Sequence, residues 1–183
     1  MIEKYLIEHC SPTLASLKTA NLFSVSLKQE CNADDQINEW SRLLAPKGIE
    51  LFVIKRSESA ALVYVFRRDM LKSDLEKPGV CEFLCEYGYS GTDTCSALER
   101  LSYRLACCAD FPHEIGIFLG YPLEDVKGFI KFGGRNCKCS GCWQAYGNVD
   151  EARRTFRRFK KCRAVYKKQW LGGRSVLQLT VAA

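Results

Sequence analysis

The chain holds only two histidines, His9 and His113, among its 183 residues. That scarcity narrows its chemistry first. His113-Glu114 has no second histidine four residues on, so the zinc-protease pattern is absent. His9 and Cys10 could form a nucleophile pair, but neighbours on a helix point in different directions. A Gly-x-Ser-x-Gly elbow, a phosphate-binding loop and a dinucleotide fingerprint are all missing. No apolar run approaches the length of a membrane span. The opening Met-Ile-Glu-Lys-Tyr-Leu lacks the basic start, apolar core and cleavage site of a secretory leader. A cytoplasmic location is therefore expected. No internal repeat, low-complexity tract or linker is visible, so one domain over residues 1–183 is expected.

What is present suits a soluble globular protein: 47% hydrophobic and 26% charged residues. The dense apolar runs at 49–54 and 60–66, broken by Arg56-Ser57-Glu58-Ser59, read as a β-hairpin. A lone hairpin is unstable in water, so helices must cover it. The expected fold class is α+β: mainly helical, packed around that hairpin. Residues 176–181 could add a third strand, or form a short helix and tail. Residues 1–9 and 12–20 read as two helices, with Ser11 capping the second and Pro12 at its first position. Residues 21–24 are an ambiguous exit. Ile37, Trp40, Leu43 and Leu44 recur at helical spacing between Asn32 and Ala45. Residues 69–77 and 80–87 read as short helices either side of Pro78-Gly79. Thr92 or Asp93 caps a longer helix that runs through Cys108.

The most tightly specified stretch runs from Phe111 to Gly134. Pro112 opens one helix, Gly120 stops it, Pro122 opens a second, and Gly133-Gly134 ends it. Ile115, Phe118 and Leu119 line one face of the first; Leu123, Val126, Phe129 and Ile130 line the second. A recognition helix offers its first turn to phosphate, but here that turn carries Glu124 and Asp125. The pair reads as a structural corner. Gly116 and Gly120 allow another backbone to approach closely.

Eleven cysteines is a high count, and in a reducing compartment they are thiols, metal ligands or redox groups before they are disulfides. Cys137, Cys139 and Cys142 fall within six residues of a Gly-rich, loop-like segment, 135–147. Cys139 and Cys142 have the spacing of a zinc knuckle, and Lys138 favours thiolates. With His113 as a possible fourth ligand they could hold zinc or iron. They could also cycle as a dithiol, or be incidental.

The charge is uneven. From Glu151 onward 10 lysines and arginines face one acid. Asp150 is expected to cap a helix reaching Leu171, on which Arg153, Arg154, Arg157, Arg158, Lys160 and Lys161 crowd together. Such a face fits nucleic acid, an acidic protein partner, or plain solvation, with Phe156, Phe159, Tyr166 and Trp170 packed inward.

Three stretches together resemble a known family: residues 9–23 from His9-Cys-Ser-Pro, residues 111–130, and Trp143-Gln-Ala-Tyr-Gly-Asn-Val-Asp-Glu-Ala152. They are similar to the bacterial domain of unknown function family 3793, seen mainly in anaerobes. The resemblance runs nearly end to end. It implies a bacterial cytosolic protein of one full-length domain and supplies no activity, cofactor or catalytic residue. The family's association with iron-uptake and flavodoxin neighbourhoods implies metal or redox work. Its usual Gly-Tyr-Trp stands here as Gly141-Cys142-Trp143, so Cys142 departs from the pattern. The expected function is a non-enzymatic binding or regulatory protein linked to metal or thiol-redox homeostasis. The alternative is a module that binds nucleic acid or an acidic protein, such as a flavodoxin-like one, through the basic helix.

Overall fold

The two apolar runs form the expected hairpin. Strand β2 (Ile49–Arg56) pairs antiparallel with β3 (Ala60–Arg67), with an irregularity between Val53 and Lys55. Ser57 closes the turn: its N–H donates to the Ala60 carbonyl at 2.9 Å and its hydroxyl accepts from Ala60 N at 3.1 Å. The computed structural model describes residues 2–27, 32–108 and 110–182.

The third strand of this sheet is β1 (Ala20–Ser26), and the order is β1-β3-β2, all antiparallel. The expected alternative at 176–181 is instead the short helix α9 (Val176–Leu179). Ser175 caps it by accepting from Gln178 N at 3.2 Å, while Gln178 accepts from Ser175 N, a complete capping box. At the start, residues 2–14 form one helix, α1 (Ile2–Leu14), with Pro12 inside it. Pro12 falls in the last turn, where its missing N–H costs a single backbone bond, so the helix passes through it. Helix α2 (Ala33–Leu44) follows, with Ile37, Trp40 and Leu44 buried and Leu43 exposed.

One apolar cluster joins Leu6, Cys10 and Leu14 of α1, Trp40 and Leu44 of α2, Val25, Leu51, Val63 and Val65 of the sheet, and Val176 and Leu179 of α9. Completely burying one such side chain contributes about 1.5–3 kcal/mol. Tyr64 and Phe66, on the opposite face of β3, are also buried and stack at 5.0 Å. His9 stacks with Tyr5 and Phe23 at 6.1 and 6.3 Å, which makes it a packing residue.

The remaining helices are α3 (Arg68–Leu75), α4 (Val80–Cys85), α5 (Thr94–Cys107), α6 (Ile115–Phe118), α7 (Leu123–Phe132) and α8 (Val149–Leu171). Asp93 caps α5, accepting from Ser96 N at 2.9 Å. The architecture is α+β and mainly helical, with a three-stranded antiparallel sheet. The chain forms two compact units, residues 1–71 with 162–183, and residues 72–161. Both boundaries fall inside helices, α3 and α8, which is why no linker is legible in the sequence. Among the described residues, no helix is long and apolar enough to cross a membrane.

Alkaline pH is expected to weaken the sheet-bearing unit. Burial pushes the Cys162 thiol from its ordinary 9.0 up to about 11. Burial, then the nearby Cys162, pushes the Tyr166 hydroxyl up to about 12. Both groups favour the neutral form in the folded state. Their contribution is complete below the unfolded pKa and is lost as pH rises through the folded one. Stability measured by urea unfolding should hold to about pH 9 and then fall towards pH 11. A Cys162→Ala variant should show a shallower fall.

Candidate functional site

The corner between α6 and α7 carries the site. Helix α6 is a single turn; the expected longer helix from Pro112 begins instead as turns through Glu114. Gly120 adopts φ +74, the left-handed conformation that ends α6. Glu114 does more than complement a helix end. It is 1% exposed, pairs with Arg104 Nε, and accepts from the Tyr89 hydroxyl at 3.2 Å. Burial, reinforced by the Glu114 charge, pushes the Tyr89 hydroxyl well above its ordinary range. This Arg–Glu–Tyr set, buried at Glu114 and Tyr89 and half-buried at Arg104, braces α5 against the corner.

Asp125, in the first turn of α7, organises the rest. It is 3% exposed and accepts three hydrogen bonds. Its Oδ1 accepts from Tyr146 N at 2.7 Å and Gly147 N at 2.8 Å. Its Oδ2 accepts from Trp143 Nε1 at 2.7 Å. All three donors lie in the segment expected to be a loop. That segment is a small hairpin, β4 (Cys139–Ser140) with β5 (Gln144–Ala145), registered Cys139↔Ala145. Two local features allow it to dock. Gly128 lies against the Tyr146 ring, and Gly141 lies against the Phe156 ring; a Cβ at either position would collide. Gly128→Ala is therefore expected to destabilise the hairpin-bearing unit by about 1–3 kcal/mol in urea unfolding. The cap of α8 is Asn148, whose Oδ1 accepts from Glu151 N at 3.1 Å, in place of the expected Asp150.

The docked hairpin has a hollow on each side. Between it and the α6–α7 corner lies a cavity of about 380 Å³ whose lining includes His113, Tyr121, Phe129, Cys142 and Trp143. Trp143 stacks on Tyr121 at 5.0 Å and meets Phe156 edge-on at 4.5 Å. His113 packs edge-on against Phe129 at 4.9 Å. Between the hairpin and α8 lies an open groove of about 610 Å³, lined by Cys139, Ser140, Asp150, Arg153, Arg154, Phe156 and Arg157.

The structure thus separates the expected metal ligands. His113 and Cys142 share the cavity, Cys139 faces the groove, and Cys137 lines neither. Among the described residues, no group of three or more His, Cys, Asp and Glu side chains is placed to hold a metal ion. No disulfide joins the described cysteines. The expected cationic set is brought together on one helix. Arg153, Arg154, Arg157, Arg158, Lys160 and Lys161 are all exposed, while Ala152, Phe159 and Cys162 are buried on the other side. None of the six cations forms an ion pair with a described residue. Sequence reasoning missed Asp125, Trp143 and Tyr121 as organising residues.

Fold and site define an α+β protein with a glycine-docked hairpin between an aromatic cavity and a cationic helix. The chain belongs to the family described as Protein of unknown function (DUF3793), whose model matches residues 6–180. The family resemblance drawn from residues 9–23, 111–130 and 143–152 is thereby borne out. No curated protein and no solved structure matches the chain.

Proposed function

We infer that the protein is a non-enzymatic binding module that captures an acidic protein partner on the cationic face of α8. The observation that carries this reading is the set of six exposed cations between Arg153 and Lys161 without an acidic partner of their own among the described residues. At 100° per residue they fall within one broad arc of the helix. Arg153, Arg154 and Arg157 also border the groove beside the hairpin. Guanidinium groups there can take carboxylates in bidentate pairs, which fixes orientation as well as attraction.

Asp150 and Glu151 favour a protein over nucleic acid. They stand exposed at the start of the same helix, and Asp150 lines the groove itself. A continuous track of phosphates is repelled there, whereas a protein surface offers discrete carboxylates and can set a cation opposite Asp150.

A glutamate-rich peptide, labelled for fluorescence anisotropy, is expected to bind with an affinity that falls steeply between about 50 and 200 mM salt, conditions chosen to bracket physiological screening. Reversing Arg153, Arg157 and Lys161 to glutamate should weaken binding by at least about 30-fold. Binding that is insensitive to salt, or that survives the triple reversal, contradicts the reading.

A further inference from the structure

The geometry points to the cavity beneath the hairpin as a receptor for a small planar ring compound that bears no negative charge. Its volume of about 380 Å³ lies in the range of small-molecule sites.

Trp143 forms part of the cavity wall. This side chain is only partly buried, yet it is held from several directions. Its Nε1–H is engaged by Asp125 at 2.7 Å. Tyr121 stacks against it at 5.0 Å, and Phe156 meets it edge-on at 4.5 Å. Asp125 is itself locked by two backbone N–H groups, from Tyr146 and Gly147. An indole so fixed loses almost no freedom when a ligand contacts its ring, and pre-organisation of this kind lowers the cost of binding. Because its N–H is occupied, it offers a ring and not a donor. His113 and Phe129, packed edge-on against each other, also line the cavity. The walls therefore recognise a flat π-system.

Charge sets the second requirement. No lysine or arginine lines this cavity, and its one carboxylate is Asp125. All three of Asp125's hydrogen bonds come from the protein and the residue is 3% exposed, so it acts on a ligand mainly through its negative field. An anionic ring compound meets that field with no lysine or arginine to offset it; a neutral or cationic one is not repelled. The cavity and the arginine groove thus select opposite charges on the two sides of one hairpin. This site does not depend on capture of an acidic partner by α8.

Quinoline and quinoline-4-carboxylate serve as a matched pair of probes. Saturation-transfer NMR on the full chain at about pH 7 should show quinoline binding, with the carboxylate at least about 10-fold weaker. Quinoline should also slow alkylation of Cys142, which lines the cavity. Leu119 lines the cavity, so Leu119→Trp fills it and should abolish quinoline binding. Its unchanged thermal transition would show that the fold survives. Trp143→Phe keeps a ring but loses the anchor and should weaken binding about 5-fold or more. Absence of quinoline binding, equal affinity for the carboxylate, or binding unaffected by Leu119→Trp would each overturn the proposal.

Discussion

Arg67→Met is expected to lower the stability of the chain by about 3–5 kcal/mol. Arg67 is 3% exposed and its guanidinium is the fastener of the sheet-bearing unit. Its Nε donates to the Thr13 carbonyl at 2.7 Å, and its Nη2 donates to Leu14 at 2.9 Å and Val181 at 2.7 Å. Its Nη1 reaches the Lys47 carbonyl at 3.3 Å. One planar fork thereby ties the C-terminal end of α1, the turn after α2 and the tail beyond α9. Burial lowers its pKa from the ordinary value. The Thr13 and Leu14 carbonyls, at the C-terminus of α1, carry the partial negative charge that suits a cation. Methionine matches much of the volume but leaves those carbonyls without a donor. Arg67→Lys should recover only part of the loss, because an ammonium cannot reproduce the fork. Urea unfolding with an unchanged slope checks both variants; a loss below about 1 kcal/mol for Arg67→Met would refute the clamp.

Asp125→Ala should cost about 2–4 kcal/mol and release the hairpin. Three donors lose their acceptor together, two of them backbone N–H groups in a segment whose docking depends on them. Trp143 then loses the bond that sets its ring. Its indole N–H proton should exchange faster in NMR, and the cavity wall should loosen. Asp125→Asn is the sharper variant. Its amide oxygen can still accept from Tyr146 and Gly147, but its NH2 faces the Trp143 N–H donor. It should keep the backbone bonds and lose the indole bond, for about half the cost. An unchanged indole N–H in either variant would contradict Asp125 as the organising residue.

These two residues show where sequence reading stops. The hairpin at 49–67 and the helices α5, α7 and α8 are legible because their signals are local: apolar period, capping residues and left-handed glycines. Strand β1 is not. Its pattern mixes Asn21, Ser24 and Ser26 with Leu22, Phe23 and Val25, and only pairing with β3, some 40 residues away, makes it a strand. Pro12 misleads in the same way, since a proline suits either the start of a helix or its last turn. Asp125 looks like an ordinary first-turn acid, because its donors lie about 20 residues downstream. Arg67 looks like one more surface cation, because its acceptors come from residues 13, 14, 47 and 181. The Cys-rich segment leaves metal, dithiol and incidental readings open, because short spacing does not say where each thiol points. The hairpin turns Cys139 and Cys142 towards different hollows, which spacing alone does not reveal.

The basic helix is legible from composition, and the structure adds which side is exposed. What decides its use is competition between two polyanions. A labelled glutamate-rich peptide bound to the full chain should be displaced poorly by a DNA duplex matched in charge, at about 150 mM salt and equal concentration of charge. Displacement by a second acidic peptide should be complete. If the duplex displaces the labelled peptide more effectively than the second acidic peptide does, the cationic face of α8 is a nucleic-acid surface, and capture of an acidic protein is not its function.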